Sequence, residues 1–180
     1  MTIPPGYLSF LRPLTRREVP FGSGGISLLQ ESDLGNSGQV GYSVSPDGLP
    51  LADAREGGWR ESWVVVGHDL AVGDPLILDT GSPSLPILTS AHGEGSWEPQ
   101  LVSSNLASFG RLLAAFEQIA EGRSNPADLA KHPPTGLEID RYLRAALAEE
   151  KASGAYLFWD MLLEDYSRFM GEAPEEMAGL

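Results

Sequence analysis

Five carboxylates, Asp69, Asp74, Asp79, Glu94 and Glu98, lie within residues 62–102, a stretch that contains no lysine or arginine. His92 stands among them, and Trp59, Trp63 and Trp97 flank them. Carboxylates with an imidazole are the donors that Zn, Mn or Fe accept. Asp74, Asp79, His92 and Glu94 are therefore the most metal-like set in the chain. Their spacing matches no HExxH or similar ligand pattern. Acids and histidines at strand ends and turns are ordinary there without a metal. Glu94 and Glu98 are near enough in sequence for paired-carboxylate chemistry, but two acids flanking a turn are too common to be specific.

Other chemistries leave weaker traces. Phe21-Gly22-Ser23-Gly24-Gly25 lacks the Lys-Ser/Thr of a phosphate loop and precedes a strand rather than a helix. The same segment has the wrong frame for a Gly-x-Ser-x-Gly nucleophile elbow. The chain has no cysteine, which excludes disulfides, thiolate metal sites and a cysteine nucleophile. No catalytic residue, no metal and no cofactor is expected.

The formal net charge of −13, from 25 acids against 12 bases, points away from nucleic acid, whose phosphates call for Lys and Arg. An anionic membrane surface is equally unfavourable. A basic protein is attracted at long range. No apolar run approaches the ~18 residues of a membrane helix. Met1-Thr2-Ile3-Pro4-Pro5 lacks the basic and apolar regions of a secretory signal. A cytoplasmic location is expected.

Two kinds of element must position these residues. Residues 1–102 are rich in Gly, Pro and short β-type runs, and residues 103–180 in Ala, Leu and Glu with helical spacing. Strands first and helices after predict an α+β fold. Tyr7–Leu11 reads as a short helix ended by Pro13, and residues 12–25 read as irregular. Ile26–Leu29 and the alternating Val40, Tyr42 and Val44 read as strands. Ser45–Glu61 reads as a long polar loop, a kind that is often functional. Trp63–Val66 and Leu76–Leu78 are unbroken apolar runs, which predict strands covered on both faces. Pro86–Ala91 and Ser96–Val102 complete the strands, joined by a turn at His92–Gly95. Trp63 and Trp97 read as core, and Trp59, after Gly57-Gly58 in the long loop, as an exposed anchor. A helix capped at Ser103, Ser104 or Asn105 runs to Gly122, Asn125-Pro126 starts a second, a third spans about 137–150 and a fourth about 154–170. The fourth is apolar nearly all round, which permits burial or a homodimer.

The middle of the chain resembles the SUKH superfamily, which includes SMI/KNR-type regulators of yeast cell-wall assembly and many bacterial immunity proteins. The resemblance runs from Trp63-Val64-Val65-Val66-Gly67 through Gly73-Asp74-Pro75-Leu76-Ile77-Leu78-Asp79 and Pro86-Ile87. It continues through His92–Gly95 and Trp97-Glu98-Pro99 to Ser103-Ser104 with Leu106 and Phe109. Upstream, Pro5-Gly6-Tyr7 with Phe10-Leu11 is similar to the family's opening helix, and Gly25-Ile26 and Gly41-Tyr42 to its early strands. The Asn-Gly-Gly turn often found after that helix is absent.

The resemblance implies an α+β domain over 1–122 with a central, mainly antiparallel sheet and flanking helices. Residues 123–180 then form a helical extension packed on the same domain. It implies a protein-binding module of immunity type, which binds and neutralises a basic, nuclease-like toxin domain. The acidic middle fits a partner built to hold phosphates. Asp69, Asp74, Asp79, Glu94 and Glu98 would supply steering charge and Trp59 an anchor. Two other readings stand beside this one. One is a regulatory scaffold of SMI/KNR type without a toxin partner. The other is a small metal-dependent hydrolase using Asp79, His92 and Glu94.

Overall fold

Pro5 opens α1 (Pro5–Leu11) at a position where a missing N–H costs nothing. The computed structural model describes residues 3–35, 37–93, 95–148, 150 and 154–171, with side chains up to residue 163 in the last helix. Six strands follow α1: β1 (Glu18–Phe21), β2 (Gly24–Leu28), β3 (Trp63–Asp69), β4 (Pro75–Asp79), β5 (Ile87–Thr89) and β6 (Gln100–Ser103). They pair in sequence order, every pair antiparallel, into one sheet. The helices after the sheet are α2 (Leu106–Ala120) and α3 (Pro126–Lys131), then α4 (Gly136–Ile139). The last runs through a π-helical turn, Asp140–Arg144, into α5 (Ala145–Leu147), and α6 (Tyr156–Gly171) follows. The protein is thus α+β, with an antiparallel sheet and a helical C-terminal part. Among the described residues no helix is long and apolar enough to cross a membrane.

The unbroken apolar runs of β3 and β4 have the physical cause expected of them. Alternate residues of a strand point to opposite faces, and here both faces are covered. Val64, Val66, Leu76 and Leu78 enter the main core with α1 and α2, where Tyr7, Leu11, Phe109 and Phe116 are fully buried. Trp63, Val65 and Ile77 enter a smaller cluster on the other face with Trp59.

Three local expectations are corrected. Residues 12–25 are not all irregular: β1 and the start of β2 lie there, joined by a two-residue turn with Gly22 at φ +59. Pro20 sits in β1, an edge strand, where its missing N–H is tolerated. The Val40–Val44 segment is no strand of the sheet. A 3₁₀ turn, Ser37–Gln39, leads into turns with only isolated bridges, Val40 to Val44 and Val44 to Pro50. The last strand is Gln100–Ser103 rather than a run from Ser96, so the β5–β6 connection is longer than a hairpin turn at His92–Gly95.

The C-terminal helices share the main core. Leu143, Leu147, Phe158, Trp159 and Leu163 lie in the same buried cluster as the sheet residues. Trp159 Nε1 donates to the Val102 carbonyl of β6 at 2.9 Å, and its ring meets Phe116 edge-on. Helix caps follow the sequence signals: Asn105 accepts from Ser108 N–H, and Asn125 from Asp128 N–H. Buried Arg123 clamps three helices, donating to the carbonyls of Ile119 and His132 and to Glu138. That guanidinium and the Thr135 N–H hold the Glu138 carboxyl far below its usual range, at about 2, with the Thr135 backbone hydrogen bond the largest cause.

Candidate functional site

The long loop after Gln39 folds back over the outer face of the sheet and builds an aromatic cluster there. Trp59 meets Trp63 and Trp97 edge-on, with ring centroids 5.5 and 5.0 Å apart, and Tyr42 lies 5.8 Å from Trp97. Edge-to-face rings at such distances attract through their quadrupoles. Trp97 N–H donates to Gly57 O at 2.8 Å, which pins the loop to the β5–β6 connection. Glycine is required at that crossing: Gly57 has φ +75, and an added Cβ would stand 2.8 Å from Ser96 Cβ. Asp53 holds the loop tip through Arg55, accepting from both its main-chain N–H and its guanidinium.

Trp59 is not the exposed anchor expected. It is 2 % exposed, and its Nε1 donates to Trp63 O. The half-buried ring is Trp97, which the sequence assigned to the core. Trp97 lines three adjoining hollows of about 360, 520 and 820 Å³. Arg60 lines two of them and stacks over Trp63 at 5.0 Å. The same loop leaves Leu49 65 % and Leu51 42 % exposed. No periodicity marks Trp97 as the exposed ring, because which tryptophan the loop covers is set by the loop's path across the sheet.

The acids occupy both ends of the β3–β4 pair. Asp69 accepts from the N–H groups of Ala71 and Val72 and so shapes the β3–β4 turn. Asp74 accepts from the His92 main-chain N–H at 3.0 Å, and His92 Nδ1 lies 2.7 Å from the same oxygen. That pair ties the β3–β4 turn to the β5–β6 connection. Asp79 is at the opposite end of β4, about 16 Å away by strand rise. There it is in register with Trp63 and accepts from Ser62 Oγ and Gly81 N–H. Glu98 is exposed beside Trp97, and Glu94 lies outside the described residues.

The metal-like set is therefore divided: His92 meets Asp74, and Asp79 is remote from both. Among the described residues no three His, Asp or Glu side chains converge as metal ligands. His68 and Tyr42 stand next to the Asp74–His92 pair, their rings 6.0 Å apart. Burial, and then the charge of His92, push the His68 imidazole below its ordinary value. Burial, and then the charge of Asp74, push the Tyr42 hydroxyl up.

A second concavity, about 200 Å³, lies between the β3–β4 turn and α6. Asp69, Asp74 and Val72 line one side, and Phe158, Met161 and Leu162 the other. Val72 is 62 % exposed and Met161 58 %. The sequence marks α6 as apolar nearly all round, but it does not show that one flank is left uncovered beside two of the predicted acids. Comparison of the chain with family models, with curated proteins and with solved structures finds no match in any of the three.

Proposed function

We propose that this chain is a protein-binding module of the immunity type, which captures and neutralises a basic, nuclease-like toxin domain. The observation that carries the reading is the position of Trp97 in the β5–β6 connection, half-buried where three hollows meet. Tyr42, Arg55, Arg60 and exposed Leu51 surround it. Tryptophan, tyrosine and arginine dominate the energetics of protein interfaces. Glu56, Glu61 and Glu98 lie at the edges of the same hollows. The acidic excess draws a basic partner in at long range, and the aromatic face then holds it by desolvated contact. The resemblance to the SUKH superfamily, on the motifs of residues 62–121, supplies the toxin as partner class. An all-antiparallel sheet with helices beside it is the arrangement which that resemblance implies.

The test is capture from native lysate by the immobilised protein, at low and at high salt, with the Trp97→Ala variant in parallel. A single basic protein, released by salt and bound at least about thirtyfold more weakly by the variant, is the expected result. A partner held equally by the variant and indifferent to salt contradicts the reading.

A further inference from the structure

The concavity between the β3–β4 turn and α6 adjoins the Trp97 hollows at Gln100 but is lined by different charged and apolar groups. We infer that it seats an aliphatic side chain from a lysine- or arginine-rich segment of the partner, with the flanking cations on Asp69 and Asp74. The inference rests on the protein-binding reading above and adds a second point of contact to it.

Size, lining and charge each narrow the occupant. A hollow of about 200 Å³ takes a single side chain, and the alkyl and thioether groups of Val72, Met161 and Leu162 that line it match an aliphatic one. Its walls are largely apolar: Ala71 and Val72 from the turn, Phe158, Met161 and Leu162 from α6. The apolar surface does not stop at its mouth. Leu157 precedes Met161 by one helical turn, so the two share a flank of α6, and both are more than half exposed. Among the described residues no lysine or arginine lines the hollow, whereas Asp69 and Asp74 do. Both are held by the fold: Asp69 by the turn it closes, Asp74 by His92. Positioned carboxylates beside an apolar seat favour a chain in which basic and aliphatic residues neighbour each other. A second copy of this chain fits the seat poorly, because it brings a net charge of −13 to an acidic rim.

The experiment is a methyl NMR titration of the full chain with a short peptide of alternating lysine and leucine, and with a glutamate–leucine peptide of equal length. Saturable shifts at the Val72 and Met161 methyls with the lysine peptide alone are expected. They should weaken at least about fivefold when ionic strength rises from about 0.1 M to about 1 M, where screening shortens to about 3 Å. Ala71 and Leu162 line the same hollow, and their methyl shifts should accompany the others and be lost in a Val72→Gln, Met161→Gln double variant, which keeps both of these reporters. Both substituted positions are exposed, so the variant's fold is retained, and an unchanged amide spectrum checks this. Trp97→Ala should keep the shifts.

Absence of saturable shifts, or equal shifts with the glutamate peptide, overturns the inference. So does a change at these methyls that grows with the protein's own concentration, which would place a second copy in the seat. A captured partner that needs Trp97 but ignores the double variant overturns this inference alone and leaves the protein-binding reading standing.

Discussion

The side-chain amide of Gln39 pairs with the main chain of Val65 as a neighbouring strand would. Gln39 Oε1 accepts from Val65 N–H at 3.0 Å, and its Nε2 donates to Val65 O at 2.7 Å and to Leu34 O at 2.9 Å. β2 ends at Leu28, so its ladder does not reach Val65. Gln39, 1 % exposed, fills the place of the missing strand residue. A buried peptide donor or acceptor without a partner costs about 1–3 kcal/mol, and one side chain here answers for three such groups.

Replacing Gln39 with Leu should therefore destabilise the fold by about 2–4 kcal/mol. Gln39→Glu should be no better, because a carboxylate faces the Val65 carbonyl where a donor is needed. Urea unfolding followed by tryptophan fluorescence measures this. The midpoint should fall while the slope stays constant. A loss below about 0.5 kcal/mol for Gln39→Leu would show that water or a shifted main chain replaces the amide.

Trp59 and Trp97 should separate stability from binding. Trp59→Ala empties a buried site in the ring cluster and should cost about 3–5 kcal/mol of stability. Trp97→Ala removes a half-buried ring and should cost clearly less, while weakening partner capture. Thermal melts beside a binding assay report both quantities. Equal stability losses would mean that Trp97 is as much a core residue as Trp59.

Acid should act through Glu138. Its carboxyl titrates near 2 in the folded protein, below the unfolded value of about 4.3. A depressed folded value stabilises at pH above the unfolded value and is lost as pH falls through the window from about 4.3 to about 2. Glu138→Gln should be less stable than the parent near neutral pH, and the gap should close across that window. A constant gap from pH 6 to pH 2 would assign the loss to hydrogen bonding alone.

His68 should remain neutral at a pH where an ordinary imidazole is already half protonated, because burial opposes its charge and His92 adds to that opposition. A base whose folded value is depressed destabilises the fold as it is forced to protonate, so this contribution is lost as pH falls below about 6.5. Proton NMR titration of the imidazole resonances measures it. Replacing Tyr42 with Ala, which opens the site to water, should move the midpoint upward.

The sequence by itself determined what depends on neighbours along the chain. The apolar runs of β3 and β4 stated that both faces are covered. The cap candidates Ser103, Ser104 and Asn105, of which Asn105 is the one used, and Asn125 marked where α2 and α3 begin, because a cap needs only the next three residues. What only the tertiary structure decided depends on residues far apart in sequence. Asp74 meets His92 because the antiparallel pairing of β4 with β5 brings the chain after Thr89 beside the start of β4. The Val40–Val44 segment, alternating like a strand, yields its place at Val65 to the Gln39 side chain, which no local pattern encodes. Trp59 and Trp97 have the same ring and the same propensity. Only the path of the long loop, fixed by Gly57 against Ser96, determines which one is covered and which one is left half-exposed.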